Sequence, residues 1–267
     1  IAGKILYANE TANYLILGIA ERLLQYPHAY KNPFYAIVRD EEGTLLLAVL
    51  MTPPHNMILA GNENYQAGVP ALIGYLRGNP LEVPGIIGPA HIAAYFSDEW
   101  QKVMDQSSKV SMRQKVYELC EVHMPSMPAG KFRKATSDDV PIIAEWLMSF
   151  EEEALGKSQD VDIARVGRLI NMGSIFVWEL EGKLVSMAMK SRPIAHSISI
   201  GAVYTPIEHR RKGYATALVA MLSQHLLDSG YDFVNLFTDL ANPTSNSIYQ
   251  KIGYRPVCDF RMYRFGD

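Results

Sequence analysis

Apolar runs interrupted by a short acidic turn occur in two similar stretches of the chain, one in each half. Residues 34–51, FYAIVRDEEGTLLLAVLM, form two strand-like runs joined by an acidic turn at Gly43. Residues 174–190, SIFVWELEGKLVSMAMK, have the same form around Gly182. Both are rich in β-branched and aromatic residues with a glycine at the turn, which predicts β-hairpins. The two glycines lie 139 positions apart (182 − 43).

Two further pairs of landmarks keep nearly this spacing. Cys120 in LCEVHM and Cys258 in VCDFRM are 138 positions apart, and Gly74 in LIGYL and Gly213 in RKGYA are 139 apart. Because the order is kept as well as the spacing, duplication is favoured over chance similarity of amphipathic hairpins. The segment HMPSMPAGKF has two prolines and a glycine and predicts a join near Gly130. We therefore expect domains at residues 1–129 and 130–267.

The apolar periodicity of the second half predicts the element order βααβββαβαβ. Strands and helices alternate only in its last part, so we expect an α/β fold with a mixed sheet. Thr136 and Asp139 have the spacing of a helix cap, and Gly230 stops a later helix. The predicted helices cover about 137–155, 161–171, 212–229 and 242–253, and the later strands cover 196–205, 231–238 and 254–265.

Composition narrows the classes of function. The chain has 267 residues, of which 48% are hydrophobic and 20% charged, with a net charge of −3. Without a basic excess, nucleic-acid binding is not expected. Two cysteines in predicted strands, Cys120 and Cys258, indicate small core residues and a reduced, cytoplasmic protein, not nucleophiles. We expect no metal site, and no secretion signal or membrane span, because the longest apolar runs are short.

Basic residues at the start of a helix are the main chemical signal. Residues 205–217 read TPIEHRRKGYATA, with Arg210, Arg211 and Lys212 directly before Gly213. A helix N-terminus offers unpaired N–H groups and a partial positive charge, so it favours an anion such as phosphate. Gly213 lets a ligand approach the backbone closely. The alternative is a solvated basic turn, since neither a P-loop nor a Rossmann glycine pattern is present.

A second motif gives the first its context. Arg210–Ala215, RRKGYA, resembles the Q/R-x-x-G-x-G/A motif of the GNAT acetyltransferases (GCN5-related N-acetyltransferases). The later stretch NPTSNSIYQKIGY, starting at Asn242, resembles the last helix of that family. The resemblance covers residues 130–267. It implies two tandem GNAT-like domains, each with a central, mostly antiparallel mixed sheet flanked by helices.

The resemblance implies an N-acetyltransferase that uses acetyl-CoA and releases CoA after direct attack by an amine. The strand near Ala202–Thr205 would splay from its neighbour and pair with the pantetheine arm. An N–H of Val203 or Tyr204 would face the thioester carbonyl. Asn242 would contact the cofactor arm or cap its helix, and Asn246 lies one turn later. The side chains of Arg210, Arg211 and Lys212 add charge that can pair with phosphate oxygens. The backbone amides implied to hold the pyrophosphate are those of Arg211, Lys212, Gly213, Tyr214, Ala215 and Thr216.

Catalytic roles follow from the same resemblance. Tyr249 matches the general acid that protonates the departing thiolate; a tyrosine stays protonated at neutral pH. The alternative is a buried aromatic side chain. No motif fixes the base. The candidates are Glu152 and Glu153 first, with Glu151, Glu208, His196 and His209 behind them, although a run of glutamates is more often a solvated face.

The first half resembles a degenerate copy of the same fold. Residues 69–76, VPALIGYL, keep the Gly-Tyr pair but replace the basic residues by apolar ones. We therefore expect this half to bind no acetyl-CoA and to shape the acceptor cleft. The expected partner is a small-molecule or peptide amine, and the protein is expected to be a monomer or homodimer. Two alternatives stay open: a non-catalytic acyl-CoA sensor, and a binder of nucleotides or phosphometabolites.

Overall fold

The computed structural model describes residues 2–79, 81–156 and 161–266. The chain divides into two compact units. Unit 1 comprises Ile1–Tyr117, Phe237–Pro243 and Pro256–Asp267, and unit 2 comprises Glu118–Leu236 and Thr244–Arg255. Neither unit is one continuous segment, so the units differ from the contiguous domains 1–129 and 130–267 that the sequence predicts.

The first part of the chain mixes helices with short strands. Its elements are α1 (Ala2–Tyr7), α2 (Glu10–Gln25), β1 (Phe34–Arg39), β2 (Leu45–Met51), β3 (Met57–Gly61), α3 (Tyr65–Gly78), β4 (Gly85–Pro89), α4 (Ala90–Met104) and β5 (Ser108–Leu119).

The rest of the chain follows the predicted order βααβββαβαβ, which is thereby confirmed. Short 3-10 turns at Ser137–Asp139 and Ile207–His209 precede α5 and α7. The elements are β6 (Lys131–Lys134), α5 (Val140–Leu155), α6 (Ile163–Asn171), β7 (Ile175–Leu180), β8 (Lys183–Ser191), β9 (Ser197–Tyr204), α7 (Tyr214–Asp228), β10 (Phe233–Asp239), α8 (Pro243–Ile252) and β11 (Arg255–Phe265).

The sheet of unit 1 includes the last strand of the chain. Its strands lie in the order β1-β2-β3-β4-β11-β5. β11 pairs antiparallel with β4, from Phe260 opposite Pro89 to Arg264 opposite Gly85. β3 and β4 are parallel, whereas β1, β2 and β3 form an antiparallel meander. Because β4 pairs with β11 as well as with β3, a single boundary near Gly130 does not separate the two units.

Both predicted hairpins are confirmed. β1 pairs with β2 around Gly43, which has φ +84°, and β7 pairs with β8 around Gly182, which has φ +77°. These positive φ angles suit glycine, because a Cβ is strongly disfavoured there.

The predicted equivalence of Gly74 and Gly213 is wrong. Gly74 lies inside α3, whereas Gly213 is the residue directly before α7. The stretch 69–76 is helical because its apolar residues recur at helical spacing and face the core of unit 1. Val69, Leu72, Ile73 and Leu76 are all buried there. This part of unit 1 therefore contains no loop that corresponds to the basic loop of unit 2.

Helices cover both faces of the sheet of unit 2, whose strands lie in the order β10-β9-β8-β7-β6. Successive residues of a strand point to opposite faces. Val177 of β7 packs in one core with α5 and α6, whereas the ring of Phe176 lies 5.4 Å from that of His225 in α7. The predicted α/β class, with mixed, mostly antiparallel sheets flanked by helices, is confirmed.

Candidate functional site

Strand β9 stops pairing with strand β10 after its first three residues. β9 and β10 run parallel and pair at three positions, ending with Ser199 opposite Asn235. Both strands continue beyond that pair, β9 to Tyr204 and β10 to Asp239. The predicted splay near residues 202–205 agrees with this geometry. A splayed edge leaves backbone groups available to a ligand.

A β-bulge lies in the splayed part of β9. Met187 of β8 pairs with Tyr204 and Met189 pairs with Gly201. Two residues of β9 therefore lie between these pairs, opposite a single residue of β8. Ala202 takes up the extra residue in a left-handed conformation, with φ +47°. A bulge interrupts the ladder and turns a backbone group out of it. The bulge falls directly before Val203, where the sequence predicts the N–H donor.

Side chains bind the backbone at the end of β9. The hydroxyl of Ser186, which is fully buried, donates to the carbonyl of Tyr204 at 3.1 Å and lies 2.9 Å from the hydroxyl of Thr205. The ring of Tyr204 lies 6.1 Å from that of Trp146 in α5. Neither Ser186 nor Trp146 was singled out by the sequence motifs. A lone serine inside the apolar run of β8 was the available signal for Ser186.

The start of α7 has free backbone donors. Its N-cap is Gly213, with φ +85°, and no side chain in residues 2–79, 81–156 or 161–266 caps the helix. The first helical hydrogen bond recorded there runs from the N–H of Ala217 to the carbonyl of Gly213 at 3.0 Å. A Cβ at Gly213 would meet only Pro128 Cγ, at 4.0 Å. The first-turn N–H groups therefore face a space that could receive an anion.

The three basic side chains of the loop differ in their surroundings. Arg210 is bound: Nε donates to the carbonyl of Thr205 and Nη2 donates to both carboxylate oxygens of Glu153, each at 2.8 Å. Arg211, with φ +63°, and Lys212 are exposed. Within the part of the chain that the structure describes, neither of these two has a side-chain partner.

Tyr249 is buried on α8, with 8% of its surface exposed. Burial raises the pKa of Tyr249 to about 12, and a hydrogen bond with Ser245 opposes the rise. Its ring packs edge-on against that of Tyr254 at 5.9 Å, and the Tyr254 hydroxyl lies 2.8 Å from that of Ser223. The hydroxyl of Tyr249 is thus protonated throughout the neutral range.

The remaining predicted residues lie in less enclosed positions. Asn242 is exposed in the turn before α8, and Asn246 is half-buried on α8. Glu152 is exposed at the end of α5, close in sequence to the bound Glu153. His196 is exposed beside β9.

An open cavity of about 490 Å³ lies beside the start of α5. Trp146 forms an apolar wall, and Glu145 and Glu208 bring carboxylates. His209 also lines it; its Nδ1 is buried with no hydrogen-bond partner among the described residues, and its Nε2 is 3.9 Å from Glu208. The remaining lining residues are Asp139, Ile142, Gly182, Lys183 and Leu184.

The two cysteines are not alike. Cys120 is exposed just beyond β5, so its predicted place among the core residues is wrong. Cys258 is half-buried in β11, where burial raises the pKa of its thiol to about 11. Burial also raises the pKa of the Cys120 thiol. Since the thiolate is the nucleophile, these shifts disfavour a nucleophilic role.

Among the residues described, no group of three or more His, Cys, Asp or Glu side chains could hold a metal ion. No helix in the described ranges is both long and apolar enough to span a membrane.

Comparison with known proteins agrees with this architecture. Residues 183–264 match the family model described as FR47-like protein. A comparison with curated proteins finds no relative. Among solved structures, the fold is similar to that of a Drosophila protein (TM-score 0.69, 12% identity, 97% of this chain and 92% of that chain covered).

Two further solved structures have names that bear on the fold. A GCN5-related N-acetyltransferase from Kribbella flavida has a TM-score of 0.60 at 14% identity, with 93% of this chain and 95% of that chain covered. A tandem GNAT protein from the clavulanic acid biosynthesis pathway has a TM-score of 0.55 at 13% identity, with 89% and 84% covered. The shared fold agrees with the resemblance to the GNAT acetyltransferases that the motifs predict.

Proposed function

We propose that unit 2 is an acyltransferase that takes an acetyl group from acetyl-CoA and passes it to a primary amine. The observation that carries the proposal is the start of α7, where a glycine N-cap leaves backbone donors uncapped beside two exposed cations. The fold is shared with proteins named as acetyltransferases, which supports acyl transfer as the reaction class.

The loop before α7 fits the pyrophosphate of such a cofactor. The amides of Gly213, Tyr214, Ala215 and Thr216 would donate to its oxygens, because the first turn of a helix has no internal acceptors for them. Arg211 and Lys212 would add charge-assisted contacts. When bound, acetyl-CoA supplies an acetyl group already activated as a thioester.

The splayed end of β9 would orient the acyl group. Backbone groups of residues 203–205 would pair with the pantetheine arm, and the N–H of Val203 or Tyr204 would donate to the acyl carbonyl. Such a donor stabilises the negative charge that develops on oxygen during attack. Asn246, on α8, is proposed to contact the cofactor arm.

Tyr249 is proposed to hold the proton that the departing sulfur needs. Its pKa of about 12 exceeds the usual thiol value of about 8.5 by roughly 3.5 units, or about 5 kcal/mol. Donation from Oη is therefore unfavourable as a separate step and would have to accompany cleavage of the bond to sulfur.

The acceptor amine must lose a proton before attack, because a primary amine is mostly protonated at neutral pH. Glu152 and Glu153 remain the proposed candidates for the base, and Glu153 is bound by Arg210. The cavity beside α5 is the proposed acceptor site. Carboxylates outnumber the single lysine, Lys183, in its lining, and Glu145 and Glu208 would favour an acceptor with positive charge.

The alternative is a non-catalytic acyl-CoA sensor, and the deep burial of Tyr249 is compatible with it, since a tyrosine with only a structural role would be buried in the same way. Calorimetry with coenzyme A and with ATP, followed by a panel of amines with acetyl-CoA and detection of released thiol, separates the possibilities. Turnover with an amine supports the acyltransferase. Coenzyme A binding without turnover supports the sensor, and a preference for ATP contradicts both.

A further inference from the structure

The side chain of Arg210 makes contacts with three residues of the protein itself. Nε donates to the carbonyl of Thr205 at 2.8 Å. Nη2 donates to both oxygens of Glu153, each at 2.8 Å. Its guanidinium carbon lies 5.8 Å from the centre of the Tyr204 ring. Two of these contacts are with the end of β9, and the other is with α5.

The end of β9 needs such contacts because β10 no longer pairs with it. The recorded pairing stops at Ser199, and the bulge at Ala202 follows. Beyond the bulge, the carbonyl of Tyr204 is bound by Ser186 and the carbonyl of Thr205 by Arg210. Side chains thus bind the backbone carbonyls of two consecutive residues at the end of β9.

We propose that Arg210 is a positioning residue, not a phosphate ligand: it fixes the end of β9 and ties it to α5 through Glu153. The proposal rests on the proposed function in so far as the N–H of Val203 or Tyr204 serves the acyl carbonyl. The charges of the loop then have separate tasks. Arg211 and Lys212, exposed and without side-chain partners in the described ranges, face the anion, whereas Arg210 keeps the donor strand in place.

The test compares Arg210→Gln with Lys212→Gln, which removes the same charge two residues away. Hydrogen exchange of the amides of residues 201–205, coenzyme A affinity by calorimetry and turnover are measured for each. For Arg210→Gln, exchange in 201–205 should rise about tenfold, the factor for losing one charge-assisted hydrogen bond. Its kcat should fall while coenzyme A affinity changes less than about twofold. Lys212→Gln should weaken coenzyme A binding and leave exchange in 201–205 unchanged.

Glu153→Gln, alone and in the Arg210→Gln background, tests the ion pair between Arg210 and Glu153 of α5. If Glu153 acts through Arg210, it slows turnover in the wild-type background and adds nothing in the Arg210→Gln background. Arg210→Lys is the second variant: it keeps the charge but not the forked contacts. It should retain coenzyme A affinity and still show raised exchange.

The proposal is overturned if Arg210→Gln weakens coenzyme A binding as much as Lys212→Gln and leaves exchange unchanged. A wild-type protein that binds no coenzyme A would instead refute the proposed function. In that case the exchange data still decide whether Arg210 holds the end of β9.

Discussion

The guanidinium of Arg133 donates two hydrogen bonds, of 2.6 and 3.0 Å, to the carboxylate of Asp139. The same carboxylate accepts from the backbone N–H of Thr136 at 2.7 Å, which completes the capping box before α5. The sequence predicts the cap but not its cation, which comes from β6. Asp139 thus fixes the start of the helix whose other end carries Glu153.

Replacing Asp139 by asparagine should destabilise the protein by about 2 kcal/mol, because a partly buried, charged acceptor of several hydrogen bonds is lost. Asp138→Asn is the matched control, since Asp138 is exposed and has no side-chain partner in the described ranges. Urea denaturation of both variants measures the difference. Equal losses would show that the Arg133 pair adds nothing.

The same pair predicts a pH dependence. Burial acts to raise the pKa of Asp139, but the hydrogen bonds from Arg133 and Thr136 outweigh it and hold the pKa below its usual value. The ionised Asp139 therefore contributes to the free energy of unfolding above its pKa in the unfolded chain, about 3.9. This contribution is lost as pH falls through its lower pKa in the folded protein. Wild type and Asp139→Asn should differ by a constant free energy of unfolding from pH 7 to about 5 and converge below about 4. A gap that stays constant to pH 2 would contradict this.

Gly213→Ala should weaken coenzyme A binding at least about tenfold, because a Cβ would project where the anion must approach. Its φ of +85° also costs about 1–2 kcal/mol of stability for any side chain. Gly182→Ala, at φ +77° with nothing within 4 Å of the added Cβ, controls for that backbone cost. Calorimetry should find coenzyme A affinity reduced for Gly213→Ala alone. If both variants bind alike, the start of α7 is not the phosphate site.

Ser186→Ala should lose about 1 kcal/mol of stability and also slow turnover, because the bulged end of β9 loses its bond to β8. Ser223→Ala removes another fully buried hydroxyl, bonded to Tyr254 at 2.8 Å away from β9. It should cost similar stability and leave kcat unchanged. Thermal unfolding and kcat, measured on both, separate a positioning effect from a general loss of packing.

Tyr249→Phe should lower kcat about 100-fold or more and leave coenzyme A affinity within about twofold, as expected when a general acid is removed. Tyr254→Phe makes the same chemical change on the neighbouring ring. It should reduce stability, since Ser223 loses its partner, but not kcat. A Tyr249→Phe enzyme with full turnover would assign Tyr249 to packing.

The element order of the second half, both hairpins and the capping box at Thr136 could be predicted from the sequence, because each depends on residues close together in the chain. The equivalence of Gly74 and Gly213 failed for a related reason. Spacing alone does not distinguish a glycine inside a helix from one before it, and the buried apolar face of residues 69–76 decides for the helix.

The candidate site was predicted in part. The basic loop and Gly213 come from a local motif, and the structure places Gly213 as the N-cap of α7. The partner of Arg210 could not be predicted, because Glu153 lies 57 residues earlier. Ser186, which holds the end of β9, is 19 residues from Thr205 and belongs to no motif.

By itself, then, the sequence determined which segments become helices and strands and where positive charge meets a helix start, since periodicity and capping act over a few residues. Only the tertiary structure decided that β11 completes the sheet of unit 1, that β9 leaves β10 after Ser199, and that Arg210 binds Glu153. These outcomes depend on which distant segments satisfy each other's backbone and charged groups, and that pairing is settled only when the whole chain packs.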